Sequence, residues 1–228
     1  PNLSRVVSHI EVSKYKDYWE GTLANIISNS ASFPRLEKLD FQASDPVDLV
    51  GLTHLSALNG LKTINFRLRP GSLETVNAIF GGFSLPKSLK KVSLEFTHFP
   101  PTKDIHALFR QKDYTARFLD AFAQVQQLES IQTDFRETPM SIVQMLWEGM
   151  IKNSKEVKHV ELTASKIPPS KDKVYFQFSS FMKEIQGNLK KLKTLKVEVM
   201  PICLAEPLQC DLTDLALTEA HICGYAIP

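Results

Sequence analysis

Leu61-Lys62-Thr63-Ile64-Asn65-Phe66 reads apolar, two polar, apolar, polar, apolar, and Leu89-Lys90-Lys91-Val92-Ser93-Leu94 repeats the form. The same spacing precedes them at Val7-Ser8-His9-Ile10-Glu11-Val12 and Leu36-Glu37-Lys38-Leu39-Asp40-Phe41. It follows them at Val157-Lys158-His159-Val160-Glu161-Leu162, Leu192-Lys193-Thr194-Leu195-Lys196-Val197 and Leu212-Thr213-Asp214-Leu215-Ala216-Leu217, with a shorter version at Leu128-Glu129-Ser130-Ile131. From position 7 to position 212 these copies make seven steps of about 29 residues each, a period typical of stacked repeats. The last two apolar residues of a copy are two positions apart, the period of a strand with one buried face. A unit of this size cannot bury its apolar side alone, so neighbouring units must stack and share a core.

Between copies the apolar period lengthens to about 3.6, the helical value. Asp17 to Ile27 places Tyr18, Trp19, Leu23, Ile26 and Ile27 on one face. Asp45-Pro46 and Thr138-Pro139 each offer a capping residue followed by proline, a helix-start signal. Ser72 is expected to cap Leu73 to Phe83, and Asp113 to cap Tyr114 to Val125. Val174 to Ile185 aligns Phe178, Phe181, Met182 and Ile185. The expectation is six helices alternating with parallel strands. Two intervals carry additional loops, His98 to Lys112 with Phe99-Pro100-Pro101 and Ser165 to Lys173 with Ile167-Pro168-Pro169. The interval Glu198 to Cys210 is short and marked by Pro201 and Pro207, so the last unit is expected to be atypical.

A formal charge of +2 on 228 residues favours neither acidic nor basic partners. Cys203, Cys210 and Cys223 are far apart, odd in number and without a CxxC pair, which argues against a zinc site or disulfide framework. No apolar run approaches the roughly 20 residues that span a bilayer. Lys14, Lys16, Asp17 and Glu20 interrupt the region where a signal peptide would be apolar. An intracellular, cytoplasmic setting is therefore expected. None of GxxxxGK[ST], HExxH, GxSxG or GxGxxG occurs, and His9 and His159 belong to distant units. The expectation is a protein that is not an enzyme, with no cofactor and no metal.

At its signatures the chain resembles leucine-rich-repeat proteins over almost its whole length, most closely the intracellular ribonuclease-inhibitor and F-box-associated kinds. The resemblance implies an α/β fold: one solenoid domain over 1–228, a horseshoe of about eight irregular repeats. A parallel sheet would form its concave side and helices its outer side. It implies too that the concave sheet docks protein partners. The Asn or Cys that usually follows the strand in this family is replaced here by Ser44, Arg69, Thr97, Arg136, Ser165 and Met200. Neither end carries a polar cap, so either a longer parent chain, of which this would be a fragment, or a neighbouring subunit covering the ends is expected.

Strand side chains alternate, so residues between the signature positions face the concavity. The candidate partner-binding residues are Lys38, Asp40, Arg67, Lys91, Glu95, Asp134, His159, Glu161 and Lys196. The mixture lacks the continuous Lys/Arg stripe that nucleic acid requires. A second row, Lys62, Lys90, Lys158 and Lys193, is expected along one lateral edge, where a solvated edge or an acidic partner would meet it. The reading is a non-catalytic scaffold that binds a protein partner, with no membrane contact. The alternatives are the substrate-recognition arm of a ubiquitin ligase or other enzyme assembly, and a structural subunit of a large complex.

Overall fold

The alternation in the signatures becomes a single nine-stranded sheet in a computed structural model that describes residues 8–12, 27–29, 33–43, 46–100, 107–109, 111, 113–165, 176–199, 212, 215–222 and 225–227. The strands are β1 (His9–Val12), β2 (Lys38–Ala43), β3 (Thr63–Leu68), β4 (Lys91–Phe96), β5 (Ser130–Arg136), β6 (His159–Ser165), β7 (Thr194–Val199), β8 (Glu219–Ile222) and β9 (Tyr225–Ile227). They lie in chain order, and the first eight are parallel.

The register aligns equivalent signature positions across the sheet. Leu39, Ile64, Val92, Ile131, Val160, Leu195 and Ala220 form one rung, and Phe41, Phe66, Leu94, Thr133, Leu162, Val197 and Ile222 the next. All fourteen are buried. One backbone device fixes this register. The carbonyl two residues before each strand's first buried residue accepts from two successive N–H groups of the next unit, as Lys62 O does from Lys90 and Lys91. Ser8, Glu37, Lys90, Glu129, Lys158 and Lys193 do the same.

Among the described residues these helices pack on the buried face: α1 (Leu73–Gly82), α2 (Ala116–Ala123), α3 (Met140–Lys152) and α4 (Phe178–Asn188). Aromatic rings make the junction. Phe80 of α1 sits 6.1 Å from Phe96 of β4, and Trp147 of α3 stacks 6.1 Å from Phe135 of β5. Phe178, Phe181, Met182 and Ile185 of α4 are buried on one face, as their spacing requires. Ser72 caps α1, its hydroxyl accepting from Thr75 N at 3.1 Å.

Several expectations need correction. The eighth strand is not Leu212–Leu217 but Glu219–Ile222, five residues on, because Thr218 N and Glu219 N are the groups that bond Lys193 O. The last strand, β9, runs antiparallel to β8, since only residues 223 and 224 separate it from that strand and a parallel return needs a long crossover. The segment opened by Pro46 is a 3-10 helix, Pro46–Ala57, rather than an α-helix. Asp113 gives α2 no side-chain cap; the cap position is Thr115, also without a side-chain bond. Thr138 does not cap α3 either, because its hydroxyl donates to Arg136 O at 3.3 Å. Of the expected helix Asp17 to Ile27 only its last residue is described, and Ile27 is helical and buried. The remainder, most of both proline loops and all three cysteines lie outside the described residues.

Candidate functional site

The face of the sheet opposite the helices is lined by the residues between the buried positions, and the register sets them in three cross-strand rows. The first runs His9, Lys38, Thr63, Lys91, Ser130, His159, Thr194, Glu219. The second runs Glu11, Asp40, Asn65, Ser93, Gln132, Glu161, Lys196, His221. The third runs Gln42, Arg67, Glu95, Asp134, Thr163, Glu198. All nine candidate residues therefore share this open face, on β2 to β7.

Among the described residues this face carries two depressions. One of about 430 Å³ reaches from Glu11 and Lys38 to Gln132 and Asp134, and takes in Asp40, Arg67, Lys91 and Glu95. The other, about 220 Å³, is lined by His159, Glu161, Lys196 and His221. Lys91 and Gln132 belong to both.

Three polar clusters occupy the rows over β1 to β7, and His221 pairs with Glu219 at 3.0 Å on β8. In the first, Asp40 accepts from Lys38 at 2.8 Å, from His9 at 2.6 Å and from Asn65. Burial by itself would raise the Asp40 carboxyl, but the bonds from Lys38, Asn65 and His9 with the Lys38 charge outweigh it and hold the carboxyl below its ordinary value. In the second, Arg136 holds Asp134 Oδ2 through Nε at 2.8 Å and Nη2 at 2.5 Å, while Glu95 lies 3.7 Å from Arg136 and 3.5 Å from Arg67. The Asp134 bond and charge, with Glu95 behind them, raise Arg136 above its already high ordinary value. The other oxygen, Asp134 Oδ1, is buried without a hydrogen-bond partner.

In the third cluster Lys196 donates to Glu161 at 2.9 Å and lies 3.4 Å from Glu198. The Glu161 bond chiefly raises Lys196, against a smaller opposing effect of burial. Gln132 donates to the second Glu161 oxygen at 3.0 Å. His159 bonds Thr194 at 2.9 Å. The i, i+2 placement of His159 and Glu161 thus brings them onto one face, but each takes its partner from a neighbouring strand.

Sequence reasoning overlooked Arg136, although it continues the outward series Ser130, Gln132, Asp134 by one more step of two. It overlooked Glu219 and His221 because the eighth strand was placed too early. The lateral lysine row exists as one rung, but Glu37 and Glu129 stand within it. Glu37 pairs with Lys62 at 2.5 Å, and Glu129 lies 3.9 Å from Lys90 and 3.6 Å from Lys158. The edge is a strip of mixed charge rather than a basic stripe.

At the strand exits His98 and Glu137 both take the left-handed backbone conformation, φ 59° and 54°, and their side chains pair with each other. Among the described residues no group of His, Cys, Asp and Glu has the arrangement of a metal site. No helix among them is long and apolar enough to cross a membrane. Compared with known proteins, the chain matches no family model and no curated relative.

Proposed function

We propose that this chain is a non-catalytic protein-interaction scaffold of the leucine-rich-repeat type, acting inside the cell and binding a protein partner across the open face of its sheet. The repeat reading rests on eight parallel strands in chain order, entered through one recurring backbone bond pair and aligned on equivalent signature residues. Moving the eighth copy to Leu217-Thr218-Glu219-Ala220-His221-Ile222 also lengthens the final interval from 20 to 25 residues, closer to the others.

The observation that carries the function is the gathering of all nine candidate residues on one face, most of them already held by their neighbours. A surface whose side chains are held before contact loses little conformational entropy when a partner arrives. Nothing in these rows requires chemistry, whereas a broad, shallow, polar depression suits the loops of another protein.

The test is affinity purification of the endogenous protein with mass spectrometry, using wild type and Ser93→Trp. Ser93 lines the larger depression, and an indole there obstructs it. A stoichiometric partner recovered by wild type and lost with Ser93→Trp is the expected result. A partner retained by a folded Ser93→Trp protein would move the interface off this face.

A further inference from the structure

We infer that the partner presents a carboxylate side chain, Asp or Glu, to Lys91 at the centre of the open face; this rests on the scaffold reading above. The argument is one of charge complementarity. Each of the other lysines and arginines in the three rows already has a carboxylate: Lys38 has Asp40, Arg67 has Glu95, and Lys196 has Glu161 and Glu198. Arg136, beside the rows, has Asp134 and Glu95. Among the described residues no carboxylate pairs with Lys91.

Its surroundings leave that charge uncompensated. On its own rung the neighbours are Thr63 and Ser130, and Ser93 is the next outward residue of β4. Asp40 and Glu161 lie two strands away on either side and one row further along, ~12 Å at ordinary strand geometry, and Glu129, next to Ser130, is engaged by Lys90 and Lys158. Lys91 is exposed and lies where the two depressions meet, so a ligand in either one reaches it. A central cation ringed by hydroxyls, without a carboxylate of its own, favours one anionic group. A carboxylate fits better than a phosphate. A phosphate dianion is best held by a guanidinium fork, and both arginines of this face, Arg67 and Arg136, are already turned to carboxylates.

The experiment pans a phage-displayed library of random dodecapeptides on the immobilised full chain, then measures the enriched peptide on variants. Wild type should enrich peptides carrying Asp or Glu. Lys91→Gln should abolish that preference and weaken the enriched peptide about fivefold, the size of a well-formed exposed ion pair. Lys193→Gln, an exposed lysine off this face, should leave binding unchanged, and matched thermal melts verify folding. Peptides blocked by Ser93→Trp but showing no acidic preference, or indifferent to Lys91→Gln, would overturn the carboxylate and leave the scaffold standing. A larger gain from phosphoserine than from Glu at the contact position would overturn it in favour of a phosphate-bearing ligand. Binding indifferent to Ser93→Trp, or no enrichment at all, would overturn both readings.

Discussion

Thr133 occupies a rung filled elsewhere by Phe41, Phe66, Leu94, Leu162 and Val197, and it is buried as completely as they are. Its hydroxyl accepts from Trp147 Nε1 at 2.9 Å, so two polar atoms of the core satisfy each other and tie α3 to β5. Thr133→Val keeps the shape and strands the indole N–H. The expected loss is about 1–3 kcal/mol in denaturant unfolding. Adding Trp147→Phe should cost less than the sum of the two single changes, because the N–H that Val had orphaned is gone. The same pair explains why the fifth signature looked truncated: a threonine in an apolar position breaks a pattern of residue types, and only the tertiary contact reveals that it is interior. Asp40 gives a second residue-scale expectation. A carboxyl held below its ordinary 3.8 in the fold adds stability above that pH, and the contribution disappears as pH falls through the lower folded value. Stability of Asp40→Asn, measured by chemical unfolding across the acid range, should therefore fall less steeply below about pH 4 than wild type. Equal slopes would mean that the three bonds to Asp40 do not persist in solution.

At the scale of elements, the segment Pro46–Ala57 shows how period selects conformation. Leu49, Leu52, Leu55 and Leu58 recur every third residue, and all four are buried. A 3-10 helix has three residues per turn and stacks such a series on one side; an α-helix would wind it around the barrel. The spacing is visible in the sequence: the Asp-Pro start signal is common to both helix types, and only the period of three separates them. Inserting one alanine between Leu52 and Thr53 should turn Leu55 and Leu58 away by ~120° and destabilise by several kcal/mol, roughly the cost of two large-to-small core changes. Inserting three residues there restores the face and should be far milder. Equal damage from both insertions, seen in thermal melts, would count against the leucine stripe as the organising feature. The eighth strand teaches a related lesson. Leu212 to Leu217 and Leu217 to Ile222 both fit the six-residue form, and spacing cannot choose between them; Lys193 O chooses, by accepting from Thr218 and Glu219.

At the scale of the molecule, every strand among the described residues bonds only to strands adjacent in sequence, so damage should spread from its source along the chain order. That order was legible from the recurrence of the signature, and the choice of face for all nine candidate residues from the period of two within each strand. The ion pairs were not, since Lys196–Glu161 and Arg136–Glu95 join residues that register, rather than sequence, brings together. Leu39 in β2 and Leu195 in β7 are buried at equivalent positions near opposite ends of the sheet. Aspartate at either would leave a charge in the core without a partner, which the fold cannot tolerate locally. Hydrogen exchange should then show Leu39→Asp opening β1 to β3 while β6 and β7 stay protected, with Leu195→Asp giving the reverse. On the open face, Lys38→Ala and Glu161→Ala should each stay within about 1 kcal/mol of wild type, the range of exposed ion pairs. If either aspartate variant lost protection uniformly from β1 to β8, the sheet would be one cooperative unit, and neighbour-by-neighbour stacking would not describe its stability.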